Sequence, residues 1–407
     1  MKPANVRVAV LGAGLQGSCV ALDLANSGIQ VDLYDRNSQC MTQASLHNEG
    51  KIHLGYVYAN DRSHRSAVTM AEGAATFGPL LERWLGLQMS QMRRSTTFNY
   101  AIHRESMLSV SEVEAHLRRT HAHAAERIGP KDYLGIDIGK PPERLKQSEL
   151  EADYDPALVK AVYRTNEISI DPLGLAVTVR DRVAADSLIR PMYESEVHGV
   201  SARRDSIGVE FTNGHGRSTV EYDQVVNALW DGRLAVDATL GLAPERPWLF
   251  RVKHFLKMRS TGVRLPTTTI VLGPFGDVVD YGDGGYYLSW YPVGLQRASS
   301  DVRMDGWPHD LPGEVEAAVR SGIVQGLAAV MPGVAELSSD GLEAAELAGG
   351  VIFAWGSTGI DDRNSELHTR YAIGPRTLGR YHSVDTGKLT TAPLYAHMVG
   401  ERVRASQ

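Results

Sequence analysis

Cysteine is close to absent: Cys19 and Cys40 are the only two among 407 residues. So low a number excludes a disulfide framework and a thiolate zinc site, and it fits a reducing compartment, so a cytoplasmic location is expected. Long apolar runs are missing too. No stretch approaches the roughly 18 apolar residues of a spanning helix, and the first residues lack the charged, apolar and cleavable parts of an export signal. Neither a transmembrane segment nor export is expected. Concentrated basic charge is the third absence. The net charge is -6, from 42 Lys and Arg against 48 Asp and Glu. Arg93-Arg94, Arg118-Arg119 and Arg203-Arg204 are isolated pairs that read as solvated surface, so nucleic acid is not an expected partner.

What the chain does have is glycine, 40 residues, about 10% against an ordinary usage of about 7%. Without a collagen period, that excess points to tight turns or to backbone that a ligand must approach closely. The length suits two or three domains.

Val6 to Leu11 reads as a short buried parallel strand, Gly12-Ala13-Gly14-Leu15-Gln16-Gly17 as a turn, and Ser18 to Ser27 as a helix closed by Gly28. Ile29 to Tyr34 is a second strand ending at Asp35. Strand, turn, helix, strand and acid in that order form a dinucleotide-binding unit. Gly12 permits the tight turn, Gly14 lets a pyrophosphate approach, and Gly17 lets helix and strand pack. Asp35 can hold ribose hydroxyls, which argues against a 2′-phosphate, though Arg36 leaves that point open. Leu15 and Gln16 sit at the helix N-terminus that faces the phosphates.

Beyond this unit, helices are expected over 63–85, 110–128, 173–185, 312–331 and 390–403. Strands are expected over 96–108, 159–165, 189–200, 207–211, 225–228, near 351–355 and over 371–382. The segment 129–156 reads as a loop, and 246–295 alternates in the β manner. His116, His121 and His123 look like a metal cluster. Residues two apart on a helix face opposite sides, however, so a solvated helix face and no metal are expected.

Two further segments are rich in chemistry. The run from Ala44 to Tyr58 contains Ser45, Asn48, Gly50, Lys51, Ile52 and His53, small, amide and basic groups suited to wrapping a cofactor longer than a nicotinamide dinucleotide. It resembles the flavin-facing loop of the D-amino-acid-oxidase-like flavoproteins, and Asn48 to Tyr58 is particularly similar to L-2-hydroxyglutarate dehydrogenases. The segment Gly387-Lys388-Leu389-Thr390-Thr391 reads by composition as a helix N-cap. It also resembles the flavin-closing motif of FAD-dependent glycerol-3-phosphate dehydrogenases in the same superfamily.

That resemblance implies FAD as cofactor. Ser45 and Asn48 would lie near its pyrophosphate and ribityl chain, His53 beside the isoalloxazine, Val197 at the adenine, and Ala228 on a strand next to the cofactor. Where the family continues Ala-Gly, this chain has Leu229-Trp230, which puts the local contact in question. The implied fold is α/β (α+β overall): a discontinuous, doubly wound, Rossmann-like FAD-binding domain with an inserted substrate domain on an antiparallel sheet. The expected division is 1–85, 160–240 and 345–407 for FAD, and 86–159 and 241–344 for substrate.

An anionic substrate needs an Arg clamp and often a Tyr hydroxyl. Arg370 and Tyr371, read as lying on a strand, are the preferred pair, with His53 as either an acid/base group or a core histidine. Tyr58, Tyr287 and Trp355 are packing or lining residues, Arg251 and His254 are candidates at the domain junction, and Asp361-Asp362-Arg363 reads as a salt-bridged loop. The expected activity is hydride transfer from a C–N or C–OH carbon of a small amino acid, amine or hydroxy acid to flavin. Oxygen or another electron acceptor then takes the electrons. An NAD-dependent dehydrogenase and a non-catalytic flavin-binding sensor stand as alternatives.

Overall fold

The computed structural model describes residues 6–129, 132–260, 262–303, 311–337 and 339–406. Its first strand, Arg7–Leu11, pairs in parallel with Gln30–Tyr34 on one side and Gln224–Asn227 on the other. The sheet continues to Ile189–Met192 at one edge, and at the other to Tyr381–Asp385 and the antiparallel Gly374–Leu378. Side chains alternate across a strand, so Val8 and Val10 enter one core while Ala9 and Leu11 enter another. On the first face lies the helix Leu15–Ala25, buried along its whole length between the sheet and the helices Arg65–Leu85 and Ala392–Ala405.

The second face is where the fold departs from expectation. A three-stranded antiparallel sheet, Glu196–Ala202, Ile207–Asn213 and Gly216–Tyr222, covers it through Val200, Val209 and Phe211. This sheet, with the short helix Arg233–Ala238 whose Val236 joins the same core, takes the place of the expected second layer of helices, and the unit is not doubly wound. The single strand expected over 189–200 breaks at Tyr193–Ser195, where Glu194 has a φ of 53°. Its first half stays in the parallel sheet and its second half crosses to the antiparallel one.

The second large element is a nine-stranded sheet. Its longest strand, Trp248–Arg259, is paired along its length with Glu346–Trp355 and also with Gly285–Trp290 and Leu295–Ser299. Gly276–Asp280, Thr268–Val271, Asn99–His103, Val159–Arg164 and Glu143–Arg144 complete it. It is mixed rather than purely antiparallel, because Thr268–Val271 runs parallel to Asn99–His103. Val159–Arg164 and Glu346–Trp355, placed mostly with the FAD portion from the sequence, pair within this sheet. The helix Gly313–Val330 packs on one face through Val319, Ile323 and Leu327 against Leu256, Met258 and Leu288.

Local chemistry accounts for several boundaries. Asp171 caps Pro172–Ala185 by accepting from the N–H groups of Leu173 and Gly174, as its position before Pro172 suggests. In the segment expected to be a loop, Gln147–Asp153 forms a helix, with Glu149 reaching back to the Lys146 N–H and Leu150 buried. The strand expected over 371–382 is instead a hairpin, because Gly379, with a φ of 57°, turns the chain between Leu378 and Tyr381.

Two glycines separate conformational strain from lack of space. Gly12 has a φ of +91°, and a Cβ there would meet the Ala228 carbonyl oxygen at 2.7 Å; Gly28 has a φ of +82° with nothing within 4 Å. Gly28→Ala is expected to cost only the left-handed strain, roughly 1–2 kcal/mol. Gly12→Ala adds a clash and is expected to cost roughly 2–4 kcal/mol. Urea unfolding of the two variants measures the difference.

Candidate active site

The C-terminal ends of the parallel strands and one face of the nine-stranded sheet enclose a cavity of about 770 Å³. One end is built by the glycine turn. The Gly12 N–H donates to the Tyr34 carbonyl at 2.8 Å, which folds the turn against the second strand. Asp35 accepts from the Ala13 N–H at 2.8 Å and from both the backbone and side-chain N–H groups of Asn37. Ser45 accepts from the Leu15 N–H at 2.8 Å. Gln16 is buried, accepts from the Thr386 hydroxyl, and leaves its Nε2 without a partner among the described residues. Gly14, Arg36, Asn48, Val197 and Ala228 also line this end. A side chain at position 14 would meet Ser45 Oγ at 2.9 Å. A bare turn, a helix N-terminus and an unanswered buried amide suit a dinucleotide, so these residues fit the cofactor that the sequence resemblance implies.

Trp230 has a φ of 57°. Its ring leaves the turn for the nine-stranded sheet, where Nε1 donates to the Val351 carbonyl at 2.8 Å and the ring meets Phe353 edge-on. Nearby, Arg36 pairs with Asp231 at 3.1 Å.

The other end is cationic. Lys51 Nζ lies 3.0 Å from Asp277, donates to Thr269, and sits 4.0 Å from the centre of the Phe98 ring. Lys253 reaches the other Asp277 oxygen at 3.7 Å and lies over the Tyr291 ring. Burial would raise Asp277, but the two ammonium groups hold it well below the usual carboxylate range. Glu49 is likewise held low, because Lys253, Lys388 and Lys51 outweigh its burial. Burial lowers Lys388 to about 8; Glu49 opposes that fall, and Arg370, Lys253 and Lys51 add to it. Arg251 is lowered to about 10, first by burial and then by the charge of Arg370.

His53 sits between the two ends. Its backbone N–H donates to Thr390 Oγ1 at 2.8 Å, and the same hydroxyl donates to the Lys51 carbonyl, so the last motif of the chain fixes the backbone of the Ala44 to Tyr58 segment. Its Nδ1 faces Glu167 Oε1 at 3.6 Å. Glu167 is completely buried and accepts from the Leu54 N–H and the Tyr100 hydroxyl. Burial and Lys388 lower the His53 pKa, with Glu167 pulling the other way. The imidazole is therefore neutral near pH 7 and able to accept a proton.

Of the residues expected to touch substrate, Tyr58, Arg251, Tyr287 and Arg370 line the cavity. Arg370 does so from a loop after the short turn Glu366–His368, not from a strand, and its N–H is held by Ser66. Tyr371 lies outside the lining, under the Arg65 guanidinium at 4.1 Å. Trp355 also lies outside it and donates to Asp385 at 2.6 Å. His254 turns away, toward Gly349. Residues 251, 253 and 255 share one face of the strand and 254 takes the opposite one. The same period-two pattern could have identified Lys253, which the sequence reading passed over. Glu167 and Asp277 were also missed; their only signal is an acid flanking or within a short segment of otherwise apolar, strand-like residues.

Among the cofactor candidates, Leu15, Lys51, His53, Lys388 and Leu389 line the cavity. Gly17, Gly50, Ile52, Thr390 and Thr391 do not. A Cβ on Gly17 would fall 1.8 Å from the Gly12 carbonyl, and one on Gly50 would fall 1.8 Å from the Ile170 carbonyl. Ile52 pairs with Ile168, and the Thr391 hydroxyl closes the turn onto Thr386. The histidines of Val110–Ile128 are not solvated as expected: His116 bonds the Gly55 carbonyl and His121 the Tyr56 hydroxyl. No metal-binding cluster occurs among the described residues, and none of their helices is long and apolar enough to cross a membrane.

A sequence profile of the family described as FAD dependent oxidoreductase matches residues 7–402. Among solved structures, glycine oxidase from Geobacillus kaustophilus superposes with a TM-score of 0.70 at 15% identity, covering 99% of this chain and 96% of its own. L-α-glycerophosphate oxidase from Mycoplasma pneumoniae with FAD bound gives 0.66 at 14% identity, covering 98% and 94%. L-proline dehydrogenase from P. horikoshii gives 0.63 at 14% identity, covering 98% and 92%.

Replacing Glu167 by Gln removes the charge that raises His53 and leaves one of its two donors facing an amide nitrogen. The His53 ring is expected to titrate at a still lower pH, and stability to fall by about 1–3 kcal/mol. NMR of the ring protons and urea unfolding measure these two effects.

Proposed function

The chain belongs to the FAD dependent oxidoreductase family, and on that premise we propose that it oxidises a C–N or C–OH bond of a small, polar, acidic substrate. FAD, when bound, supplies the two-electron acceptor that takes a hydride from the substrate carbon. The observation that carries this reading is the continuity of the cavity. Gly12, Gly14, Ser45 and Gln16 bound one end, Lys253, Arg251 and Arg370 the other, and His53 lies between them.

The protein's part is positioning, charge and one proton. Arg370 holds an acidic group of the substrate, with Tyr58 as a neighbouring hydroxyl donor. Burial keeps the Tyr58 phenol protonated, and its hydroxyl has no partner among the described residues. When the substrate is an alcohol, loss of hydride from carbon and of the hydroxyl proton to His53 leaves a carbonyl. When it is an amine, the nitrogen lone pair forms the C=N bond and only a neutral amine is needed. Lys388, in the segment Gly387–Thr391, holds positive charge at the cofactor-facing wall. Oxygen or another electron acceptor completes the turnover.

Anaerobic mixing with panels of amino acids, amines and hydroxy acids is expected to bleach the flavin band with one chemical class. A holoprotein that keeps its yellow colour against every panel, with the cofactor fully loaded, contradicts the catalytic reading and favours a flavin-binding sensor. The pH profile has two expected limits. Activity on an alcohol falls below the lowered His53 pKa, where the imidazole is protonated. Activity also falls above about pH 8, where Lys388 loses its charge. Lys388→Arg, which stays protonated, is expected to move the upper limit to higher pH in kcat/KM measurements.

A further inference from the structure

We infer that the substrate is a dianion, either two carboxylates a few atoms apart or one phosphate ester, held between Arg251 and Arg370; this rests on the oxidoreductase reading above. Charge pairing around the cavity leads there. Lys51 and Lys253 share Asp277, and Lys388 is countered by Glu49. Arg251 and Arg370 remain, and among the described residues no carboxylate pairs with either. Both are almost fully buried, at 6% and 7% exposure.

Arg251 is the more exacting of the two. Its Nε and Nη1 are buried with no hydrogen-bond partner among the described residues, and the strongest charge effect on it is the repulsion of Arg370. Arg370 places one Nη1 donor on the Thr369 carbonyl, which fixes its side chain while leaving its charge unanswered. A buried guanidinium without a counter-ion is strongly unfavourable, and two that repel each other are more so. A single carboxylate on Arg370 would neutralise one charge and leave Arg251 unpaired. Two negative charges answer both. Hydroxyl donors are at hand as well, because Tyr58 and Tyr291 line the same cavity as Arg251 and Arg370.

The two arginines are also separate from the cofactor end. Arg251 comes from the strand Trp248–Arg259 and Arg370 from the loop after Glu366–His368, whereas Gly12, Gly14 and Ser45 belong to the parallel sheet and the loop that follows it.

The test is a binding series on the FAD-loaded protein with probes that cannot be oxidised at the flavin: propanoate, succinate and inorganic phosphate. Perturbation of the flavin band and the shift in melting temperature give two independent readouts. Succinate or phosphate is expected to bind at least about tenfold tighter than propanoate. A succinate preference assigns two carboxylates, and a phosphate preference assigns a phosphate ester. Arg251→Gln is expected to reduce the preference to less than about threefold while propanoate affinity changes little. Equal affinity for succinate, phosphate and propanoate, or no binding of any of them, overturns the inference. Because binding is read without turnover, a holoprotein that binds dianions yet is never reduced would fail the oxidoreductase reading alone. The wild-type series decides the question even if the Arg251 variant does not fold.

Discussion

Lys51 and Asp277 meet 3.0 Å apart with both side chains removed from water, and much of the active site hangs on that pair. Lys51 belongs to the loop that follows the dinucleotide-binding unit, and Asp277 to the nine-stranded sheet. Their contact, backed by the Phe98 ring and Thr269, is a charged bond between the segment carrying His53 and the nine-stranded sheet. Removing Asp277 would leave both Lys51 and Lys253 without their buried counter-ion, which costs far more than losing a surface ion pair. Two residues beyond Lys51, the backbone of His53 is held by Thr390, so the same short segment sets the position of the imidazole. The lysine thus fixes its segment, that segment fixes His53, and Asp277 fixes Lys253 at the cationic end of the cavity.

A second tie crosses between the sheets at the cofactor end. Trp230 adopts a backbone conformation normally left to glycine, yet its ring is fastened to the Val351 carbonyl and packed on Phe353. Leu234, Phe250, Val252 and Val351 make a small apolar cluster around it. Backbone strain of this kind persists only where surrounding contacts over-determine it. The bulky residue that looked disruptive in the sequence is a fastener.

Much of the cofactor end was legible because its chemistry is local. Gly12, Gly14, Gly17 and Asp35 follow one another at fixed spacings, and turn, helix and acid have to occur in that order. Arg370 and Arg251 were legible as charge types but not as geometry: Arg370 sits on a loop, and His254 was paired with Arg251 although neighbouring strand residues face opposite sides. Glu167 and Asp277 were not legible at all. Their partners, His53 and Lys51, lie more than a hundred residues away in sequence, and only pairing of remote segments makes a buried acid useful. The His116 and His121 side chains show the reverse case. Residue spacing shows that they point to different sides of the helix, but which side is covered depends on the 54–58 segment packing against it.

Under the proposed function, the strand Trp248–Arg259 holds selectivity and scaffold on opposite faces. Three neighbouring strands clamp its backbone, Leu256 and Met258 are committed to the helix behind it, and Arg251, Lys253 and Phe255 point into the cavity. Diversification can therefore act on three alternate positions with the ladder held still and the glycine turn untouched. Such a fold can change its preferred metabolite by exchanging charge or bulk along one ribbon and inherit its redox machinery unaltered.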